Sequence, residues 1–322
     1  MPLLSVIVPC FNEEAALPHF YTEAVSALAE IGGGVQAEFV FVDDGSMDGT
    51  MRVIKGLRAQ DRRVRYISFS RNFGKEAAIF AGLKECVGDF ATLMDADLQD
   101  PPALLKDMYA ALTREGCDCA AARRVNRKGE PPIRSLFARV FYRVINKISQ
   151  TEIVDGARDF RMMTRKYVNS VCEISEYNRF SKGIFSWVGF KTKWLEYENA
   201  PRVAGNTKWS FWKLFKYSLD GILAYSTVPL YISSAVGLLC FVASLIMILF
   251  YFIKTLIWGD PVAGYPSLIC FILMIGGIQL FSIGVLGQYL AKTYLETKRR
   301  PAYIVSERES DSVDGEQRTE NS

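Results

Sequence analysis

Two long stretches without a single charged residue, 221–253 and 261–291, constrain this chain most. Each holds the roughly 20 apolar residues that a helix needs to cross a bilayer. Two buried helices of a soluble core are the competing reading, and the uninterrupted apolar composition favours spans, placed at about 229–253 and 266–290. Only Lys254 and Asp260 carry charge between them. Lys208, Lys213 and Lys216 precede the first, and Lys292, Lys298, Arg299 and Arg300 follow the second. The positive-inside rule then puts both termini in the cytoplasm and the short link outside.

The first hundred residues read differently. Short apolar runs at 5–8, 38–42, 64–69 and 90–94 alternate with helix-like segments, the first of these running through about Ile31. That alternation predicts an α/β domain with a mostly parallel sheet covered by helices. Ligands of such sheets bind beyond the carboxyl ends of the strands, and polar residues collect there. The N-terminus has no basic region, and its apolar run is too short for a secretory signal, so this domain should stay in the cytoplasm.

With 38 Lys and Arg against 35 Asp and Glu, the net charge of +3 makes no case for binding nucleic acid. The seven cysteines are scattered apart from Cys117 and Cys119, which lack a second pair or a nearby His to complete a zinc site; Cys10, Cys86 and Cys172 read as reduced, buried thiols. The lone His19 has no partner in its sequence context.

Residues 131–148 form a basic amphipathic pattern that suits either an ordinary surface helix or one lying beside a lipid headgroup. Aromatic residues and lysines mixed over 209–219 predict an interfacial helix entering the bilayer. From Ser306 onward the chain is polar and should be disordered. The organisation expected is a catalytic domain over 1–200, a juxtamembrane segment over 201–228, two spans within 229–290, and a cytoplasmic segment with a disordered end over 291–322.

Asp95 and Asp97 follow a strand, where a turn would let both carboxylates face one metal ion; hard oxygen ligands suit Mg²⁺ or Mn²⁺, which neutralises a diphosphate leaving group. Asp43 and Asp44 end an earlier strand, where a carboxylate accepts hydrogen bonds from a base or ribose. Pro9, Asn12 and Glu13 follow the first strand and would shape the same pocket. Plain structural roles compete, with Asn12 capping the first helix and Asp44-Gly45 forming a turn. Arg71 and Lys75 flank a glycine at another strand exit, suited to phosphate or sugar. In the segment from Gly156 to Arg161, burial of Phe160 would fix the backbone while Asp159 faces a ligand; a surface salt bridge is the alternative.

Val6-Ile7-Val8-Pro9 with Asn12-Glu13, Asp43-Asp44-Gly45-Ser46, Arg71-Asn72-Phe73-Gly74-Lys75, Asp95-Ala96-Asp97-Leu98-Gln99-Asp100 and Asp159-Phe160-Arg161-Met162 resemble, in this order, the family 2 glycosyltransferases that act on polyprenyl phosphates. Bacterial bactoprenol (undecaprenyl-phosphate) glucosyltransferases look nearest, and dolichol-phosphate mannosyltransferases more distant. The likeness runs from Ser5 to about Val305. Gly205-Asn206-Thr207-Lys208, Gly264-Tyr265-Pro266-Ser267 and Lys298-Arg299-Arg300-Pro301 share in it. Many relatives have an acidic residue where this chain has Asn206, and Glu where it has Gln288.

The resemblance implies a GT-A fold in a multi-pass protein of the cell inner membrane. It implies transfer of one sugar, glucose from UDP-glucose, to undecaprenyl phosphate with inversion. Asp95 and Asp97 would bind Mg²⁺ or Mn²⁺, with Pro9, Asn12, Glu13, Asp43, Asp44, Arg71, Lys75, Asp95 and Gln99 around the donor. Asp159 would be the catalytic carboxylate, and Arg123, Arg134, Arg139, Arg179 and Lys208 would contact the lipid phosphate. A homotetramer, a separate flippase and a downstream glycosyltransferase are implied partners.

Other sugars, such as mannose, galactose, an N-acetylhexosamine or a modified arabinose, fit the same chemistry. A processive polysaccharide synthase would need more membrane helices and a Gln-x-x-Arg-Trp element that is absent. A non-enzymatic scaffold or transporter would leave Asp95, Asp97 and Asp159 unused. An oxidoreductase lacks the Gly-x-Gly-x-x-Gly turn.

Overall fold

The computed structural model describes residues 1–125, 154, 156–197, 228–258 and 264–309. The strands are β1 (Leu3–Cys10), β2 (Gln36–Asp43), β3 (Val64–Phe69), β4 (Phe90–Leu93), β5 (Cys119–Arg124), β6 (Ala157–Thr164), β7 (Thr192–Tyr197) and β8 (Val305–Arg308). The helices are α1 (Leu17–Ile31), α2 (Thr50–Gln60), α3 (Lys75–Glu85), α4 (Leu104–Arg114), α5 (Arg165–Glu173), α6 (Ser181–Trp187), α7 (Val228–Trp258) and α8 (Tyr265–Thr297). The strands form one sheet in the order β7-β5-β6-β4-β1-β2-β3-β8. Its centre, β4-β1-β2-β3, is parallel, as expected, whereas β6 and β8 run antiparallel to their neighbours β4 and β3.

Strand side chains alternate between two buried faces, which is why these segments read as near-continuous apolar runs. Leu4, Val6, Val8, Phe39 and Phe41 belong to one core with Phe20 of α1, Ile54 of α2 and Met108 of α4. Ile7, Val40, Val42, Ile67 and Leu93 belong to the other, with Ala78 of α3, Val168 of α5 and Phe185 of α6. Helix α3 is buried from Ala77 to Leu83 and rests on the sheet through small residues. A Cβ on Gly82 would come 2.2 Å from the Ile7 Cγ2 atom.

Near the amino ends of the parallel strands, buried Glu38 is the anchor. Its carboxylate accepts hydrogen bonds from the Ser5 hydroxyl and the Val87 N–H, and it pairs with Arg65 at 3.2 Å. Chemistry is thereby left to the opposite edge of the sheet.

Two expectations change. The tail is not disordered from Ser306: residues 305–308 form β8 against β3, with Lys55 to Glu307 at 2.7 Å and Arg65 to Glu309 at 2.8 Å. Pairing to an unfilled sheet edge supplies the backbone bonds that polar composition alone does not foretell. Of the two expected spans, one stands among the described residues, the stretch Met274–Thr297 of α8, while the apolar stretch Val228–Cys240 of α7 is shorter. The helices reach beyond the predicted limits and touch each other. The expected helix at 131–148, the interfacial segment at 209–219, and Arg134, Arg139 and Lys208 lie outside the described residues.

Replacing Gly82 by Val should drive side-chain atoms into Ile7 and cost about 1–3 kcal/mol. The thermal unfolding midpoint of the purified protein should fall accordingly; an unchanged midpoint would refute the close packing of α3 on β1.

Candidate active site

In the parallel centre, the strand order reverses between β1 and β4, so loops leaving their carboxyl ends part and open a crevice. Into this edge fall Pro9 near the end of β1 with Asn12 and Glu13 after it, Asp43 as the last residue of β2 with Asp44 after it, Arg71 after β3, and Asp95, Asp97 and Gln99 after β4. The antiparallel return of β6 beside β4 adds Asp159.

Lys75, the first residue of α3, joins two of these loops. Its ammonium lies 2.8 Å from Asp95 Oδ2 and 2.6 Å from Asp159 Oδ2. Desolvation disfavours the Lys75 ammonium, and the two carboxylates more than offset it and push its pKa up. Desolvation likewise opposes ionisation of Asp159. Lys75, Lys182 and Arg161 outweigh it and hold the carboxyl well below the usual carboxylate range. Asp159 is therefore anionic at neutral pH, inside a cationic surround.

Asp44 holds the loop that presents Lys75. It is buried, and it accepts hydrogen bonds from the Phe73 N–H at 2.6 Å and the Gly74 N–H at 2.9 Å. Burial pushes its pKa up, with those two donors pulling against the rise. Asp43 accepts from Ser46 N–H at 3.1 Å and from the Ser68 hydroxyl at 2.7 Å. Gly45 turns between them with φ of 68°; a Cβ there would lie 2.5 Å from the carbonyl carbon of Arg71. Both aspartates thus bind their own loops together, in keeping with the expected turn at Asp44-Gly45.

Asn12 does not cap α1. Its side-chain oxygen accepts from Met47 N–H at 2.9 Å, in the loop after β2, and its backbone is left-handed with φ of 57°. Helix α1 begins four residues after Glu13, too far for that cap. The Glu13 N–H donates to the Thr50 hydroxyl at 2.9 Å, tying the β1 loop to α2. Pro9 sits in β1 opposite Val42.

Asp97 accepts from Gln99 N–H at 3.2 Å. Among the described residues no group of three or more His, Cys, Asp or Glu side chains is arranged to hold a metal ion. Asp95 and Asp97 offer the hard oxygen donors that Mg²⁺ or Mn²⁺ takes, and such ions often use one or two carboxylates with the rest of the shell from phosphates and water. The donor set fits on that basis.

Arg179 is buried, with its guanidinium 3.9 Å from the Phe80 ring centre and bonded to the Val171 and Ile174 carbonyls; it lines a cavity of about 360 Å³ together with Arg71 and Glu76. Arg123 pairs with Glu196 at 3.5 Å. Phe160 is 1% exposed, as its place beside Asp159 predicts. Sequence reasoning missed the bracket around β6: Arg158 pairs with Asp100 at 2.9 Å and reaches Gln99 Oε1 at 3.1 Å, and the Tyr197 hydroxyl donates to Asp100. It also missed Lys182 and the bond from Ser181 N–H to Glu76 at 2.8 Å. Arg158 and Arg161 stood in a recognised motif, but their partners are far away in sequence.

A model of the family described as glycosyl transferase family 2 matches residues 5–172. The chain belongs to this family. It is an enzyme of sugar transfer. The prophage bactoprenol glucosyl transferase homolog of Escherichia coli (strain K12) is 43% identical over 94% of this chain and 98% of that protein. The bactoprenol glucosyl transferase of Shigella phage SfX is 42% identical over 95% and 99%. Among solved structures, glucosyl-3-phosphoglycerate synthase from Mycobacterium tuberculosis, in complex with Mn²⁺, UDP-glucose and phosphoglyceric acid, is 20% identical, with a TM-score of 0.45 over 69% of this chain and 78% of that one.

The charge arrangement fixes a pH dependence. A carboxyl whose folded pKa is depressed stabilises the fold above its unfolded pKa and loses that contribution as pH falls through the folded value. In Lys75→Met the largest cationic contribution is gone and the folded pKa of Asp159 rises toward its unfolded value, so the protein should be less stable at neutral pH and lose less of its stability on acidification. Melting temperatures across pH 2–7 should show this lowered, flattened acid limb in Lys75→Met and a near-parental one in Lys75→Arg. Coincident curves would exclude the ion pair.

Proposed function

We propose that the protein transfers glucose from UDP-glucose to undecaprenyl phosphate, giving a lipid-phosphate-linked monosaccharide with inversion at the anomeric carbon. The observation carrying this reading is the Lys75 bridge between Asp95, on the donor side, and Asp159, on the acceptor side. Relatives described as bactoprenol glucosyl transferases, matching nearly end to end, support the glucosyl group and the bactoprenol acceptor.

A phosphate monoester is already ionised near neutral pH, so its oxygen attacks without strong proton abstraction. The enzyme's work is orientation and charge control. An acceptor phosphate beside the Asp159 carboxylate alone would meet repulsion; Lys75, Lys182 and Arg161 offset it. Asp95 and Asp97 would hold Mg²⁺ or Mn²⁺, which supplies charge neutralisation for the departing diphosphate. Asp44 and Asp43 act by holding the loops that shape the donor pocket, and Arg71 stands at its rim.

Both α7 and α8 are read as spans of the inner membrane, with the catalytic domain and both termini cytoplasmic. They keep the lipid headgroup near the crevice and lower the positional cost of joining a soluble donor to a lipid acceptor. The product would then need a separate flippase and a downstream glycosyltransferase.

Purified protein, undecaprenyl phosphate, Mg²⁺ or Mn²⁺ and a panel of UDP- and GDP-sugars, read by mass spectrometry of the lipid, test the reaction. One hexose added from UDP-glucose alone is expected. Addition from another donor corrects the sugar, and none from any donor by folded protein overturns the reading. Asp159→Asn should lower kcat by about 10²-fold or more while the donor KM changes little. Unchanged turnover would exclude Asp159 as the catalytic carboxylate.

A further inference from the structure

Where α8 ends, a second cavity of about 780 Å³ opens between the catalytic domain and the returning chain. Phe80 and Tyr303 form an apolar wall, their rings 6.4 Å apart and edge to face. Lys84, Arg299 and Arg300 supply three exposed cations. Among the described residues none of the three has a carboxylate partner; Lys84 lies 4.4 Å from the Phe80 ring centre. The one acidic residue among the described lining residues, Glu296, already accepts the N–H groups of Tyr177 at 2.9 Å and Asn178 at 3.2 Å.

We propose that this cavity binds the phosphate headgroup of an anionic membrane lipid, at a site separate from the transfer crevice. Its position selects the source of the anion. The stretch Met274–Thr297 is long and apolar enough to cross a membrane, and Arg299 and Arg300 follow its last residue by two and three positions. They therefore stand at headgroup level when α8 spans, where basic residues attract anionic lipids. Arg299 is left-handed, with φ of 48°, which turns the chain out of the helix and back toward Tyr303 on the catalytic domain. A concave site with an apolar wall and clustered cations accepts a phosphodiester and the start of its acyl chains; a flat basic surface would offer no such enclosure.

Native mass spectrometry of the full-length chain in a neutral detergent tests this, with phosphatidylglycerol titrated against phosphatidylcholine. One phosphatidylglycerol per chain should be retained in clear preference. Arg299→Gln/Arg300→Gln should bind it about thirtyfold more weakly, and Lys84→Gln, which changes only an exposed side chain of the soluble domain, about fivefold. Lys292→Gln, which removes a neighbouring α8 charge outside the cavity, should bind as the parent does. Equal retention of the two lipids, or an equal loss in Lys292→Gln, would overturn the site. Displacement by millimolar inorganic phosphate would overturn the lipid as its occupant. The readout requires no sugar transfer, so it fails independently of the proposed reaction.

Discussion

One ammonium group between two carboxylates organises the catalytic end of this molecule. Asp95 leaves the sheet at β4, Asp159 comes from the neighbouring antiparallel strand β6, and Lys75 opens α3, the helix that leads into β4. Without the cation, the two anions would repel each other in a cleft that leaves both carboxylates only partly exposed. With it, their loops share one electrostatic minimum. The surrounding bonds serve that contact: Asp44 fixes the loop before Lys75, and the Glu76–Ser181 bond fixes the residue after it.

Much of the frame was legible from residue patterns. The runs at 5–8, 38–42, 64–69 and 90–94 correspond closely to β1 through β4, because strands buried on both faces leave continuous apolar runs bounded by polar turns. Phe160 was placed in the core correctly for the same reason. Pairings across long sequence separations were less legible. Nothing local tells Lys75 that its partner is Asp159, or Arg158 that Asp100 awaits it; tertiary folding makes those neighbours. Asn12 misleads because its side chain suits a helix cap, whereas the donor it meets in space is the N–H of Met47.

The tail shows the same principle from the opposite side. Residues from Ser306 on have too few apolar side chains to order themselves, yet 305–308 become a strand. Their stability is borrowed: β3 offers an open row of backbone groups, Lys55 and Arg65 meet Glu307 and Glu309, and Tyr303 stacks on Phe69 with ring centres 4.9 Å apart. Composition measures what a segment brings, and it is silent about what waits for it.

That returning strand has a mechanical consequence. The catalytic domain enters the apolar helices through its carboxyl-terminal connection and is gripped again, at its far sheet edge, by the residues that follow them. On the proposed reading of α8 as a span, a body hung from one linker would swing and spin over the bilayer. Strand β8 gives the sheet an attachment to the chain that leaves that helix, at the edge opposite β7, and so removes part of that freedom.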